Sequence, residues 1–286
     1  MFKFRKLIKV VSLVLMLLFI FIGCTNNQNL EGSLEVSIID VGQGDAIFIK
    51  TPNNKNILID TGSKNDKDKL YNFLKEKNIK NIDVLIGTHP HEDHIGNMAS
   101  IIKDYTIGEI YMPKINHTTK TFKDTILAVK EKNLTIKSPK SGQVLEFGGA
   151  KMEFLAPNSE KYKDLNDYSI VSKISYGKNS FMLMGDAEKV SEKEIISKGY
   201  NLKSDVIKLG HHGSSTSSSK EFIKLVDPKF AVASCGKNNE YGHPHKEIVK
   251  LLSSFNIELY KTFETGNITF ISDGENLKVG TKNNVR

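Results

Sequence analysis

Thr88-His89-Pro90-His91-Glu92-Asp93-His94-Ile95-Gly96-Asn97, THPHEDHIGN, crowds three histidines, a glutamate and an aspartate into one short stretch. It follows IDVLIG, an apolar run that reads as a buried strand. Loops at the ends of sheet strands are where functional side chains concentrate, because the sheet holds their ends still. Neutral imidazole and carboxylate are the ligand types that zinc and similar divalent ions prefer. His89 and His91 lie two apart and can face one ion if the segment is extended. Asp93 and His94 come round the following turn and can face a second. One histidine in a polar loop needs no such explanation; His-x-His-x-Asp-His after a buried strand does.

Other strand ends supply what this loop lacks. SFMLMGDAE ends an apolar strand on Asp186, whose two carboxylate oxygens can bridge two cations. Read alone, Asp186 would be a helix cap, since helical residues follow it. DVIKLGHHGSS ends another buried strand on His211 and His212, and burying both polar rings would require partners. Asp60, in NILIDTG, suits a carboxylate that orients a ligand better than a ligand itself. His117, in INHTTK, reads as a surface residue. Cys235, in the apolar run FAVASC, reads as buried packing.

Between these points strands alternate with helices. Strands are expected in LEVSIIDVG, DAIFIKT, NILIDTG, IDVLIGTH, GEIYMP, LTIKSP, VLEF, KMEFLAP, SIVSKISYG, SFMLMGD, DVIKLGHHG and FAVASCG. ELYKTFETGNITFIS gives two more. KDKLYNFLKEKN, ASIIKDY, TFKDTILAVKEKN, EKEIISKG, SKEFIKLV and HKEIVKLLSSF have helical spacing. The pattern predicts a layered α/β domain with mixed sheets over residues 34–281.

The N-terminus differs. MFKFRKLIKV is basic, VSLVLMLLFIFIG carries no charge, and Cys24 follows. This order describes a secretory signal over residues 1–24, too short in its apolar part for the roughly 20 residues of a membrane span. Phe21-Ile22-Gly23-Cys24 resembles a bacterial lipoprotein box, with phenylalanine where leucine is usual, which would make Cys24 a lipidation site. An uncleaved anchor is the alternative. Residues 25–33 read as a polar tether, and both readings place the rest outside the cytoplasm on a membrane. With Cys24 so used, Cys235 has no partner for an internal disulfide. The 286 residues carry a net charge of +7, compatible with an anionic partner such as nucleic acid, a membrane surface or a cell-wall polymer. No arginine-rich or aromatic-interleaved basic stripe points to nucleic acid in particular.

Asp60, the HPHEDH cluster, Asp186 and the HHG pair, in that order between strands, resemble the metallo-β-lactamase superfamily. More narrowly, IIDVGQGDAIFI, LIDTG, THPHEDHIGN, NDYSIVSKISYG, LMGDAE, LGHHGSS and NEYGHP resemble the extracytoplasmic hydrolase-like domain of the ComEC competence proteins. The resemblance covers most of residues 34–281. It implies a four-layer αββα sandwich with a one- or two-metal site at the sheet edges. His89 and His91 would hold a first cation, Asp93 and His94 a second, with Asp186 between them. His212 or His211 would be the later ligand; His212 is preferred, with His211 as a substrate contact. Many family members carry a histidine shortly before the bridging aspartate. Here Asn166-Asp167-Tyr168-Ser169 stands in its place, so Asn166 or Asp167 would substitute, and oxygen ligands there would suit manganese as well as the favoured zinc. His243, in YGHPH, would contact substrate.

A pair of such cations, about 3.5–4 Å apart, would bring water toward ionisation at neutral pH and polarise a substrate oxygen. Asp93 would orient that nucleophile, and His211 or His243 would stabilise charge developing on the substrate. The expected function is hydrolysis of phosphodiesters, in extracellular DNA or in choline-phosphate or teichoic-type polymers. The rivals are hydrolysis of carboxylic esters, lactones or amides at the same site, and a surface-tethered binding protein with a degenerate metal site.

Overall fold

The computed structural model describes residues 32–281 and 284–285. The proposed signal or anchor, Cys24 and the tether up to residue 31 lie outside the described residues. The first half of the domain runs β1 (Leu34–Ile38), β2 (Ile47–Lys50), β3 (Asn56–Ile59), α1 (Lys67–Glu76), β4 (Asn81–Ile86), α2 (Glu92–Ile95), α3 (Met98–Asp104), β5 (Thr106–Tyr111), α4 (Lys120–Glu131) and β6 (Ile136–Lys137). The second half runs β7 (Val144–Phe147), β8 (Ala150–Ala156), β9 (Val171–Tyr176), β10 (Asn179–Leu183), α5 (Lys189–Ser197), β11 (Val206–Lys208), α6 (Lys220–Val226), β12 (Phe230–Ala233), α7 (Lys246–Ser254) and β13 (Glu258–Lys261). A helical turn α8 (Thr262–Thr265) then leads to β14 (Ile268–Ser272), β15 (Leu277–Thr281) and β16 (Asn284–Val285).

The strands form two mixed sheets, in the orders β16-β15-β14-β1-β2-β3-β4-β5-β6 and β13-β12-β11-β10-β9-β8-β7. Period-two alternation decides which way each side chain faces. In β2, Phe48 joins Leu58 of β3 and Leu85 of β4 in a cluster with Leu70 and Phe73 of α1 and Ile101 of α3. On the second sheet Met182, Ile207 and Ala231 pack against Ile195 of α5, Phe222 of α6 and Ile248 of α7. The opposite faces meet between the sheets, where Tyr111 lies 5.4 Å from Phe154 and Phe181 lies 6.0 Å from Phe270. The layers are therefore helix, sheet, sheet, helix, the four-layer αββα sandwich expected from the sequence. Each fully buried large side chain, such as Phe48 or Phe154, contributes about 1.5–3 kcal/mol over its exposed state.

Helices start where the local chemistry permits. Thr119 accepts a hydrogen bond from Phe122 N before α4, and Ser219 accepts one from Phe222 N before α6. Parallel pairing of β3–β4, β4–β5, β10–β11 and β11–β12 requires crossover helices, which return the chain so that successive strands finish at the same edge. That edge is where Asp60, His89, Asp186 and His211 emerge.

Two expectations are corrected, and a third, the two strands of ELYKTFETGNITFIS, holds with a detail added. LTIKSP keeps only two residues of strand, paired with Ile110 and Tyr111. In DVIKLGHHG the strand stops at Lys208, and Gly210–Gly213 form a tight 3-10 turn. The two strands of ELYKTFETGNITFIS belong to different sheets: β13 pairs with β12, and β14 pairs with β1 across the sandwich. β15 then adds a strand for which the sequence, broken by Gly280 and two lysines in LKVGTK, gave no periodic signal.

A candidate metal centre at the sheet edges

Asp186 follows β10 and is buried to 2% exposure. Its Oδ2 lies 3.2 Å from His94 Nε2, 3.4 Å from His212 Nε2, 3.8 Å from His89 Nε2 and 4.0 Å from His211 Nε2. Four imidazoles from two loops of different sheets therefore aim the same ring atom at one carboxylate oxygen. His91 completes one side, with its Nδ1 3.0 Å from His89 Nε2. Asp93 completes the other, with its Oδ2 3.2 Å from His212 Nε2 and 3.8 Å from His94 Nε2.

The far ring nitrogens are held by acceptors. His94 Nδ1 donates to Asp60 Oδ2 at 2.8 Å, and Asp60 also accepts from Thr88 N and Thr88 Oγ1. His212 Nδ1 donates to the Ser234 carbonyl at 2.8 Å. His211 Nδ1 donates to Glu188 Oε1 at 3.0 Å. His89 Nδ1 meets Thr88 Oγ1 at 3.1 Å and Ser169 Oγ at 3.4 Å. A proton fixed on Nδ1 leaves the Nε2 lone pair free to bind a cation. Asp60 thus bonds the far nitrogen of His94, a position that suits an orienting carboxylate.

A residue that sequence reading passed over sits beneath this cluster. Asp45, in the turn before β2, is fully buried and paired with Lys208 Nζ, itself 0% exposed. Its oxygens lie 3.5 Å from His212 Nδ1 and 3.9 Å from His94 Nδ1. Asp45 therefore faces the backs of both rings, whereas Asp186 faces their fronts. Although Asp45, His94, Asp186 and His212 form a compact ligand-type group, this edge-on geometry makes Asp45 an orienting carboxylate. The Lys208 ammonium also donates to Gly185 O at 3.1 Å and lies 3.9 Å from Asp186 Oδ1. A lysine inside the apolar run DVIKLG was the available signal. The turn that carries Asp45 is pressed onto the site. Asp45 N donates to Asp93 O, and Gly44, at φ +132°, leaves no room for a Cβ against that same carbonyl.

Electrostatics follow from this packing. Burial by itself would raise the Asp186 pKa, but His212 and His94 hold it well below the usual carboxylate range. Burial would lower His94 and His212, yet Asp186 and the surrounding carboxylates push both well above the usual imidazole value. His89 is held well below that value by burial and by His94. His94 Nε2 and Asp186 Oδ1 are buried without hydrogen-bond partners. Buried polar atoms are normally paired, so these mark a place for a cation. Two donors each about 2.1 Å from one ion at a tetrahedral angle lie about 3.4 Å apart. The observed spacings bracket that value, so the donor set fits divalent metal ions.

The remaining candidates fall nearby or elsewhere. His243 rings lie 5.4 Å from His211 and 6.0 Å from His212, and its Nδ1 is buried without a partner. Burial, with His212 and His211 adding to it, pushes His243 down to about 4. Gln43, Glu92, Tyr241 and His243 shape the mouth of a cavity of about 340 Å³ over Asp93 and Asp186. Asn166 donates through Nδ2 to Glu188 Oε1 at 3.2 Å, and its buried Oδ1 has no partner. Asp167 Oδ1 accepts from Glu188 N and Ser191 N, serving the first turn of α5. His117 is remote from the cluster and bonds Thr119 Oγ1 at 3.0 Å. Cys235 is buried, which pushes its thiol up to about 11.

Comparison with known proteins agrees with this geometry. The sequence pattern of the Metallo-beta-lactamase superfamily matches residues 39–237. ComE operon protein 3 of Bacillus subtilis (strain 168) is 34% identical over 274 residues, covering 90% of this chain and 34% of that protein. Competence protein ComA of Neisseria gonorrhoeae is 30% identical over 242 residues, covering 84% of this chain and 32% of that protein. These relatives are ComEC-type competence proteins, and the chain spans about a third of their length. Among solved structures, the metallo-beta-lactamase fold protein YhfI from Bacillus subtilis superposes with a TM-score of 0.56 at 14% identity, covering 84% of this chain and all of that one.

Proposed function

The chain belongs to the metallo-β-lactamase superfamily, and we propose that it is a membrane-tethered, extracytoplasmic hydrolase of phosphodiesters that works through divalent metal ions. One observation carries the reading: imidazole Nε2 atoms from both sheets converge on Asp186 Oδ2 while their Nδ1 atoms are tied down behind. In this reading His89 and His91 would hold one cation, and Asp93, His94 and His212 the other, with Asp186 available to both. Zinc suits the imidazole-rich set, and manganese is the alternative occupant. Bound there, such ions supply Lewis acidity, lowering the pKa of water and polarising a substrate oxygen.

The protein's own groups do the rest. Asp93, with its side chain 31% exposed beside the cavity, orients the attacking water and takes up its proton. His243 stays neutral at working pH and offers one ring N–H toward charge that develops on the substrate. Asp60 and Ser234 O keep His94 and His212 in one tautomer throughout. The net charge of +7 and the competence relatives support an anionic polymer as substrate, DNA or a teichoic or choline-phosphate polymer. Attachment through lipidated Cys24, or through an uncleaved anchor, supports the location. Among the described residues no helix is long and apolar enough to cross a membrane.

The test is a substrate panel with the purified chain in Zn²⁺ or Mn²⁺: duplex and single-stranded DNA, bis-p-nitrophenyl phosphate, p-nitrophenyl phosphorylcholine, a lactone and a cephalosporin. Phosphodiester cleavage that Asp93→Ala loses is expected. Turnover of only the lactone or cephalosporin would refute the phosphodiester preference.

A further inference from the structure

We propose that His211 and His212 serve one cation each, His211 completing the site on the His89–His91 side. This rests on the two-cation reading above and adds a ligand to it. Three independent features of the molecule support it.

The first is position. His211 Nε2 lies 4.0 Å from Asp186 Oδ2, 0.2 Å beyond the 3.8 Å of His89 Nε2 to the same oxygen. The cation flanked by Asp93, His94, His212 and Asp186 already has four donors. The cation flanked by His89, His91 and Asp186 has three. Asp167 spends Oδ1 on the backbone of α5, and Asn166 spends Nδ2 on Glu188. His211 supplies the missing imidazole from a different loop.

The second is backbone strain. His211 (φ 47°, ψ 49°) and His212 (φ 55°, ψ 19°) are consecutive left-handed residues. Non-glycine residues rarely adopt that conformation, because Cβ crowds the following carbonyl oxygen. Adjacent side chains on an extended strand would point to opposite faces. The left-handed pair turns both rings toward Asp186 instead, and strain held at one spot is characteristic of functional sites.

The third is orientation. Glu188 Oε1 accepts from His211 Nδ1 at 3.0 Å and is itself held by Thr216 Oγ1 at 2.8 Å and Asn166 Nδ2 at 3.2 Å. Glu188 thereby does for His211 what Asp60 does for His94. In the neutral ring the Nε2 lone pair then faces the Asp186 carboxylate. Two acceptors facing each other need a cation between them. A substrate-contacting histidine at this place would need its proton on the other nitrogen.

Metal binding by the full-length chain separates the alternatives. The metal-stripped protein would be titrated with Zn²⁺, and with Mn²⁺ followed by electron paramagnetic resonance, for the wild type, His211→Ala, His211→Gln and Glu188→Gln. Circular dichroism would check each fold. Two equivalents are expected in the wild type. His211→Ala and His211→Gln should keep one equivalent near wild-type affinity, bind the second at least about 100-fold more weakly, and show isolated rather than coupled Mn²⁺. Glu188→Gln should weaken that second equivalent about 10–100-fold, the usual cost of losing an orienting partner. Two equivalents at unchanged affinity in both His211 variants would overturn the assignment and leave the hydrolase reading intact. A wild type that binds no divalent ion would overturn both.

Discussion

At the scale of single residues the site is organised by what stands behind each imidazole. Asp60 touches no open cavity, yet it fixes the tautomer of His94 through a 2.8 Å bond and is locked in turn by Thr88. Asp60→Ala should therefore lower metal affinity about 10–100-fold while the chain stays folded, measured by competition with a chromogenic chelator. Lys208 makes a different contribution. It is the counter-charge for Asp45, with both groups fully out of water. Lys208→Met removes the nearest counter-charge of that buried carboxylate, and should cost about 3–5 kcal/mol in denaturant unfolding. Removing both charges together, in Lys208→Met with Asp45→Leu, should recover much of that loss, because the pair offsets a desolvation cost that the double variant no longer incurs. Asp45 and Lys208 were hard to read from the chain for one reason. Asp45 lies outside the histidine-bearing segments, Lys208 in DVIKLGHHG carries no ligand-type side chain, and each finds its partner only when the two sheets close.

Secondary elements transmit these constraints through their ends. The first turn of α5 relies on Asp167, which accepts from Glu188 N and Ser191 N. Asp167→Ala should cost about 1 kcal/mol, as other N-terminal caps do, and leave the metal stoichiometry unchanged. A lost equivalent of metal would instead make Asp167 a ligand, one of the two substitutes that the sequence offered. The turn Gln43-Gly44-Asp45 is bound as tightly: Ser234 Oγ donates to Gly44 O at 2.7 Å, and Gly62 N donates to Asp45 O at 2.8 Å. A side chain at Gly44 meets both a left-handed φ and the Asp93 carbonyl, so Gly44→Ala should displace Asp93 and reduce turnover more than stability. Element types were legible because apolar alternation and helical spacing are local signals. β4, with its run IDVLI, and α4, with Phe122, Thr125, Ala128 and Val129 on one side, announce themselves. Pairing is not local. That β14 crosses to β1 and that Gly210–Gly213 leave the strand are decided by the facing sheet and by the demand that two rings turn one way.

Across the whole molecule, two helix-covered sheets bring loops far apart in sequence to one edge, and the histidines and aspartates that chemistry made conspicuous meet there. His89, His91, Asp93, His94, Asp186 and His212 were recognisable from residue type and position after apolar runs. The partners of the second ring nitrogens were not, since Ser234 O is a backbone atom and Glu188, within LMGDAE, has no spacing that ties it to His211. The charge balance gives a global prediction. In the metal-free protein Asp186 and its neighbours raise His94 and His212 well above the ordinary imidazole value, against the effect of burial. Above about pH 6.5 the unfolded imidazoles are neutral, so the metal-free chain should lose stability as pH rises through those raised values. Metal binding needs the same rings deprotonated, so the stabilisation gained from saturating Zn²⁺ should grow from about pH 6 to about pH 8. Thermal unfolding with and without metal should show these opposite slopes. The most direct measurement is anomalous X-ray diffraction at the zinc edge from crystals grown with Zn²⁺. Two peaks about 3.5–4 Å apart, flanking the Asp186 carboxylate, are expected. Absence of anomalous density beside Asp186, with zinc bound only at the surface or nowhere, would contradict the metal centre.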